Sequence, residues 1–124
     1  EVIRLDSANA EAYNNRGICY AEIEEFEKAI LDFTQAIKLK PDYKEAYFNR
    51  GACHQRIDEH QKAIDDFSEL IRINPSDSEA FYRRGLSYYN LDMKEKALSD
   101  LKKAVDLGHD LARDFLRKNY KIDY

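Results

Sequence analysis

Residues 11–17 read EAYNNRG, and the same pattern returns as EAYFNRG at residues 45–51 and as EAFYRRG at residues 79–85. The three stretches lie 34 residues apart. Recurrence at a fixed period of this length is typical of arrays in which each repeat buries its apolar face only against its neighbours. The sequence therefore predicts three copies of one structural repeat.

Each repeat has a second half that keeps the same register, beginning with EKAILDF at residue 27, QKAIDDF at residue 61 and EKALSDL at residue 95. Its apolar residues follow the spacing of one helical face. In the first repeat these residues are Ala29, Ile30, Phe33, Ala36 and Ile37. A break near Glu24 and Glu25 separates the two halves, and Pro41 and Pro75 follow the second helices, where proline ends a helix. Each repeat is therefore predicted to be an antiparallel helix pair.

Three residue types recur inside the pairs and call for a packing explanation. Glycine within a helix costs about 1 kcal/mol relative to alanine, so Gly17, Gly51 and Gly85 predict close approach of the paired helix. Arginine precedes each glycine, and an aspartate follows 16 residues later. We expect one ion pair per repeat: Arg16 with Asp32, Arg50 with Asp66, and Arg84 with Asp100.

Bulk composition excludes several classes of function. The chain has 124 residues, is 44% hydrophobic and carries a net charge of -4 with acids and bases mixed along its length. The sequence has no basic stripe of the kind that binds nucleic acid, and it has no apolar run long enough to insert into a membrane. Cys19 and Cys53 are predicted to be reduced, packed thiols, because helix-packing distances exceed the reach of a disulfide. Reduced thiols suit a cytoplasmic location.

With these motifs the chain resembles the tetratricopeptide-repeat family. The resemblance rests on the 34-residue period, the recurrent glycine, the aromatic residues at Tyr13, Tyr47 and Phe81, and the closing proline. It implies an all-α fold, an α-solenoid in which three helix-turn-helix repeats form a right-handed superhelix, followed by a capping helix. His54 stands where the other repeats carry tyrosine, and we expect it to be packed in the same way.

The resemblance also predicts boundaries within one domain. The repeats are expected at residues 10–43, 44–77 and 78–111. Residues 1–9 align with residues 35–43 and are expected to be the end of a preceding second helix, so the chain is expected to come from a longer array. Residues 112–124 are expected to form the capping helix and tail.

In the family, the first helices of the repeats line a concave groove that binds partner proteins. The groove-facing positions outside intra-repeat packing are polar, aromatic or aliphatic, a mixture that can supply anchors and backbone contacts. The predicted partner-binding residues are Asn14, Ile18, Phe48, Asn49, Gln55, Tyr82, Arg83, Leu86 and Tyr89. Two alternatives stay open. One is that Ile18 and Leu86 pack between repeats, and the other is that Asn14, Asn49 and Arg83 are solvated surface.

One branch of the family clamps the carboxylate tails of heat-shock chaperones with a Lys and an Asn in the first repeat, an Asn in the second, and a Lys and an Arg in the third. Only Asn49 and Arg83 match, while Asn14, Ile18 and Glu79 depart from this set. The sequence therefore argues against an acidic-tail clamp and favours a neutral or basic segment. Acids at the starts of the first helices also complement the helix dipole, which is the simpler explanation of Glu79.

Catalytic and cofactor motifs are missing from the sequence. The three histidines have no metal-ligand spacing, and there is no phosphate loop or nucleophile elbow. We therefore expect a non-enzymatic scaffold without a cofactor that binds a peptide or helical segment of a partner protein. Two alternatives stay open at this point, namely self-association through exposed repeat ends and a role as the regulatory arm of a larger enzyme.

Overall fold

The computed structural model describes the backbone of residues 2–123 and the side chains of residues 7–123. Within these residues the chain is all-α, with helices joined by short turns and no strand. The helices are α1 (Val2–Glu22), α2 (Phe26–Leu39), α3 (Lys44–Arg56), α4 (His60–Ile73), α5 (Ser78–Asn90), α6 (Lys94–Asp106) and α7 (Asp110–Tyr120). The chain divides into two compact blocks, an N-terminal block up to Asp66 and a C-terminal block from Phe67.

The turns inside the repeats share one geometry. Glu24, Asp58 and Asp92 adopt left-handed backbone conformations with φ of 62°, 61° and 61°. The amide that follows each of them donates to a carbonyl five residues earlier, as Glu25 does to Tyr20 at 2.9 Å. This is the Schellman arrangement, which satisfies the last carbonyls of a helix. The predicted break between the helix halves is therefore a specific helix stop that recurs every 34 residues.

The core of each block is built from the predicted apolar stripes. In the N-terminal block Phe26, Ala29 and Phe33 of α2 pack with Cys53 of α3. In the C-terminal block Leu101 of α6 belongs to a core to which α7 also contributes. The fully buried members of that second core are Ala97, Leu101, Ala104, Ala112 and Leu116.

Two of the three glycines in the first helices, Gly17 and Gly85, lie against the second helices, as the sequence predicted. A Cβ atom on Gly17 would come within 2.6 Å of the Phe33 ring, and one on Gly85 within 3.0 Å of Leu101. Contacts this short are not tolerated without movement of the neighbouring side chain. Close packing therefore requires Gly17, whereas a Cβ atom at Gly85 needs only a small shift of Leu101.

The predicted ion pair forms in every repeat. The Arg16 guanidinium donates from Nε and Nη2 to both carboxylate oxygens of Asp32, at 2.8 and 2.7 Å. The two later pairs have the same two-pronged geometry, with distances between 2.6 and 2.9 Å. The aspartates are buried, so each pair fixes the first helix of a repeat to its second helix.

Two expectations differ from the structure. Helix α1 runs without a break from Val2, whereas residues 1–9 were expected to end a separate helix; Glu1 itself lies outside the described residues. Ser7 stands where the later repeats carry Pro41 and Pro75, so nothing in its backbone forces a stop. Cys19 is free as expected, but it is exposed and not packed.

Candidate functional site

The N-terminal block carries a cleft of about 240 Å³ between α1 and α3. Its walls are mostly apolar, and two charged residues of opposite sign, Glu22 and Arg56, also line it. Of the predicted site residues, the cleft brings together Ile18 and Asn49. The complete lining is Ile18, Ala21, Glu22, Phe26, Phe33, Asn49, Ala52, Cys53 and Arg56.

Ile18 is the apolar residue of α1 that this cleft presents to solvent. Its exposed fraction is 37%, although large aliphatic side chains are usually buried. Phe26 and Phe33 lie in the core and form part of the lining, so the cleft opens directly onto packed aromatic side chains. An apolar side chain of a ligand would lose water-exposed surface here and contact both aliphatic and aromatic groups.

The polar groups at the cleft are positioned by a hydrogen bond between Asn14 and Asn49. The Asn49 amide donates to the Asn14 carbonyl oxygen at 3.2 Å. Asn14 is only 4% exposed and lies near the Tyr43 hydroxyl, whose pKa is raised by burial and by nearby Glu11 and Glu45. Asn14 therefore has a structural position, while half-buried Asn49 can still use its own carbonyl oxygen and second amide hydrogen.

Arg56 forms the charged side of the cleft at the end of α3. Its guanidinium lies 4.9 Å from the centre of the Phe26 ring and 3.8 Å from a carboxylate oxygen of Glu24. A cation over an aromatic face is held there by the ring quadrupole. Cys53, beneath this corner, is a poor nucleophile because burial raises the pKa of its thiol to about 11. The cleft is thus suited to binding and has no activated thiol.

Phe48 and Gln55, also predicted as partner-binding residues, lie on α3 outside the cleft lining. Both are half-buried, and each already has an interaction partner in the chain. The sequence did not single out Ala21 or Glu22 for this site. These two positions are not conspicuous in the repeat pattern, and they become part of a cleft only where α1 and α3 diverge.

In the C-terminal block the predicted anchors lie against α7. The Tyr82 ring stacks on His109, with ring centres 4.3 Å apart, and the Tyr89 ring meets Phe115 edge-on at 5.1 Å. Tyr120 is a further neighbour of Tyr89, at 5.8 Å. Burial raises the pKa of Tyr82, in agreement with this cover. Part of each anchor surface is therefore used within the block.

Glu79 joins two of these residues into a network. It accepts from Arg83 Nε at 2.9 Å and from His109 Nε2 at 2.7 Å. Burial alone would raise the pKa of Glu79, but the bonds from Arg83 and His109 outweigh it and lower that pKa. The other ring nitrogen of His109 accepts from the Ala112 amide and so caps α7. Arg83 is thereby tied to a carboxylate, and Leu86 beside this network is half-buried.

Among the described residues, no group of three or more His, Cys, Asp or Glu side chains could hold a metal ion. Over the same part of the chain, every helix is too short or too polar to cross a membrane.

Models of the tetratricopeptide repeat match residues 10–43 and 45–77, and a further model of the same repeat matches residues 79–107. The chain belongs to the tetratricopeptide-repeat family. Its repeats are therefore helix pairs of an α-solenoid.

Individual tetratricopeptide-repeat proteins are similar to this chain over different lengths. DnaJ homolog subfamily C member 7 of Homo sapiens is 39% identical over 44 residues, which is 36% of this chain and 9% of that protein's length. The first such domain of Spaghetti (RPAP3), solved with the HSP90 peptide SRMEEVD, has a TM-score of 0.87 at 24% identity, covering 93% of both chains. The Arabidopsis OM64 domain has a TM-score of 0.84 at 25% identity, covering 91% of this chain and 98% of its own.

Proposed function

We propose that this chain is a non-catalytic module that binds a peptide segment of a partner protein on the first helices of its repeats. The observation that carries the proposal is the apolar cleft between α1 and α3, with exposed Ile18 on one side and the Asn49 amide on the other. An apolar side chain of the peptide enters the cleft, and Asn49 bonds to the peptide backbone.

Solved relatives support the peptide-binding class, since two domains of Spaghetti (RPAP3) were solved with an HSP90 peptide. The chemistry of the partner must come from this chain's own residues, because the sequence identity to those domains is low. Affinity in such clefts comes from a few buried anchors, with polar contacts setting the register. A cleft of about 240 Å³ has room for one large aliphatic side chain, so the peptide is proposed to insert one such anchor.

The acidic-tail specificity of the chaperone-binding branch is not expected here. Ile18 offers no hydrogen bond where that branch has an Asn, and Glu79 is an acid where it has a Lys. Arg83, which matches the branch, already binds Glu79 at 2.9 Å. An incoming carboxylate would have to displace Glu79 and would be repelled by it. The peptide is therefore proposed to be neutral or basic.

The test compares two isoleucines of the same block. Peptides selected from a displayed random library on the wild-type chain are measured by fluorescence anisotropy against Ile18→Glu and against Ile23→Glu. Ile23 is 68% exposed in the turn after α1 and is not part of the cleft lining, so it is the matched control. Ile18→Glu should weaken binding at least about tenfold, equivalent to 1.4 kcal/mol, while Ile23→Glu leaves it unchanged.

The peptide SRMEEVD serves as the second probe. It should show no saturable binding below about 1 mM, a limit that corresponds to about -4 kcal/mol. Tight binding of SRMEEVD would contradict the proposed specificity, and equal binding by the two isoleucine variants would contradict the cleft.

A further inference from the structure

The two charged residues of the peptide cleft, Glu22 and Arg56, differ in how their charges are balanced. The Arg56 guanidinium lies over the Phe26 ring and 3.8 Å from a carboxylate oxygen of Glu24. Glu22 is exposed and has no cationic partner among the described side chains, residues 7–123. The carboxylate of Glu22 is therefore the charge of the cleft lining that the chain leaves uncompensated.

Glu22 also stands where a helix disfavours an acid. It is the last residue of α1, and the C-terminal end of a helix carries a partial negative charge that attracts cations and repels anions. The second repeat follows this rule, since α3 ends at Arg56. A cation bound beside Glu22 would therefore be attracted both by the carboxylate and by the end of α1.

The position of Glu22 is not part of the recurring packing pattern. The three repeats carry Glu22, Arg56 and Asn90 there, an acid, a base and a neutral amide, although the arginine and glycine just before them are the same in every copy. A charge that changes from repeat to repeat is not needed to hold a helix pair together. It can therefore serve to distinguish one ligand from another.

The spacing of Ile18 and Glu22 matches that of an extended peptide. Both residues line the cleft and lie four residues apart on α1, a distance of about 6 Å along the helix axis. Alternate side chains of an extended chain point to the same side and are about 6.6 Å apart. A peptide that runs along α1 with its aliphatic anchor at Ile18 therefore brings the side chain two positions away to Glu22.

We propose that Glu22 selects a Lys or Arg two positions from the aliphatic anchor of the bound peptide, before or after it according to the direction of the peptide. This inference rests on the proposed peptide-binding function and adds the residue that sets its specificity. The long stem of the basic side chain packs along Ala21, and its charged end reaches the carboxylate. An acid at the same position of the peptide is repelled by Glu22.

The probe is a displayed heptapeptide library with Leu fixed at the centre and every other position randomised. It is selected on the full wild-type chain, on Glu22→Lys and on Glu27→Lys. Glu27 is exposed on α2 and outside the cleft lining, so Glu27→Lys makes the same change of net charge away from the cleft. Lys and Arg should be enriched two positions from Leu on the wild type and on Glu27→Lys. On Glu22→Lys the enrichment at that position should change to Asp and Glu.

One selected peptide is then compared, by fluorescence anisotropy, with a version that has Ala in place of its basic residue. The Ala version should bind the wild-type chain about fivefold more weakly, as expected for a partly exposed charge pair. The two versions should bind Glu22→Gln equally. Urea unfolding of Glu22→Gln should give a midpoint no lower than that of the wild type, because the end of α1 disfavours the carboxylate.

Three results overturn the inference. They are the same basic enrichment on the wild type and on Glu22→Lys, an equal loss from the Ala substitution in the wild type and in Glu22→Gln, and a clearly lower urea midpoint for Glu22→Gln. Binding that depends on Ile18 but shows no basic preference rejects this inference and leaves the proposed function in place. If the selected peptides bind Ile18→Glu as tightly as the wild type, the cleft itself fails and the inference fails with it.

Discussion

Two helix pairs with nearly the same sequence pattern differ in what covers them. In α1–α2 the arginine of the ion pair is 61% exposed, and the glycine is packed by a phenylalanine ring. In α5–α6 the corresponding arginine is 20% exposed, the glycine is packed by a leucine, and α7 covers the tyrosines of α5. The same positions in the repeat therefore differ in exposure between the two blocks.

The difference shows that the repeat pattern determines the contacts within a helix pair. It does not determine whether the outer faces of that pair are covered. Arg16 and Arg84 bind their aspartates with the same geometry. Whether a face is then available to a partner depends on the next helix in space.

The largest expected effect comes from removing one carboxylate in each block. Asp100→Ala leaves the Arg84 guanidinium mostly buried without its counter-charge, so it should lower the free energy of unfolding by about 3 kcal/mol. Asp32→Ala should lower the free energy of unfolding by clearly less, because water can reach the exposed Arg16. Urea unfolding of the two variants measures the difference.

Asp106→Ala, which removes an exposed carboxylate from α6, is the control and should stay within about 0.5 kcal/mol of the wild type. Equal losses for Asp32→Ala and Asp100→Ala would mean that the cover over the arginine does not matter to the ion pair.

A smaller effect separates the two glycines. Gly17→Ala places a Cβ atom 2.6 Å from the rigid Phe33 ring and should destabilise the chain by about 2 kcal/mol. Gly85→Ala meets the more flexible Leu101 at 3.0 Å. The gain in helix propensity, about 1 kcal/mol, should offset much of that strain. Thermal unfolding compares the two variants.

The double variant Gly17→Ala with Phe33→Leu recreates the leucine packing of the later repeat. In the Phe33→Leu background, Gly17→Ala should lower the free energy of unfolding by less than it does in the wild-type chain. The double variant is therefore compared with Phe33→Leu alone. If the methyl group costs the same in both backgrounds, the ring contact is not the cause.

The smallest effect concerns the Glu79 network under α7. Because hydrogen bonds from Arg83 and His109 lower the pKa of Glu79 below its ordinary 4.5, ionised Glu79 stabilises the fold above about pH 4.5. This contribution is lost as the pH falls through the lowered pKa. Glu79→Gln should therefore be less stable than the wild type at pH 7, by less than about 1 kcal/mol because the carboxylate is 39% exposed.

Urea unfolding at a series of pH values tests this, and the two curves should converge as the pH falls through the lowered pKa of Glu79. Glu45→Gln, which alters an exposed carboxylate at the same position of the second repeat, should show no such dependence. A constant difference across the whole range would show that Glu79 acts through packing and not through its charge.

Sequence reasoning was most successful where the contact partner lies in the same repeat. The helix pairs, the contacts of Gly17 and Gly85, the Arg–Asp pairs and the burial of His54 were all predicted and are confirmed. The continuous start of α1 and the exposure of Cys19 were not predicted correctly. Neither feature follows from the contacts within one repeat.

The candidate site was predictable only in part. Ile18 and Asn49 were singled out and line one cleft, and whether they bind a partner stays a prediction. The role of His109 could not be read from the sequence. It stands at the position of Pro41 and Pro75, and nothing local shows that its ring stacks on Tyr82 and bonds Glu79.

The 34-residue period by itself determined the helix pairs, their turns and their internal ion pairs, because these contacts join residues at a fixed, short separation in every copy. Only the tertiary structure decided which outer faces are covered, since that depends on helices that do not repeat the pattern. Helix α7 packs on the tyrosines of α5, while the cleft beside Ile18 stays open to solvent. The physical reason is that burial is a property of neighbours in space, and a residue type at a repeat position does not specify those neighbours.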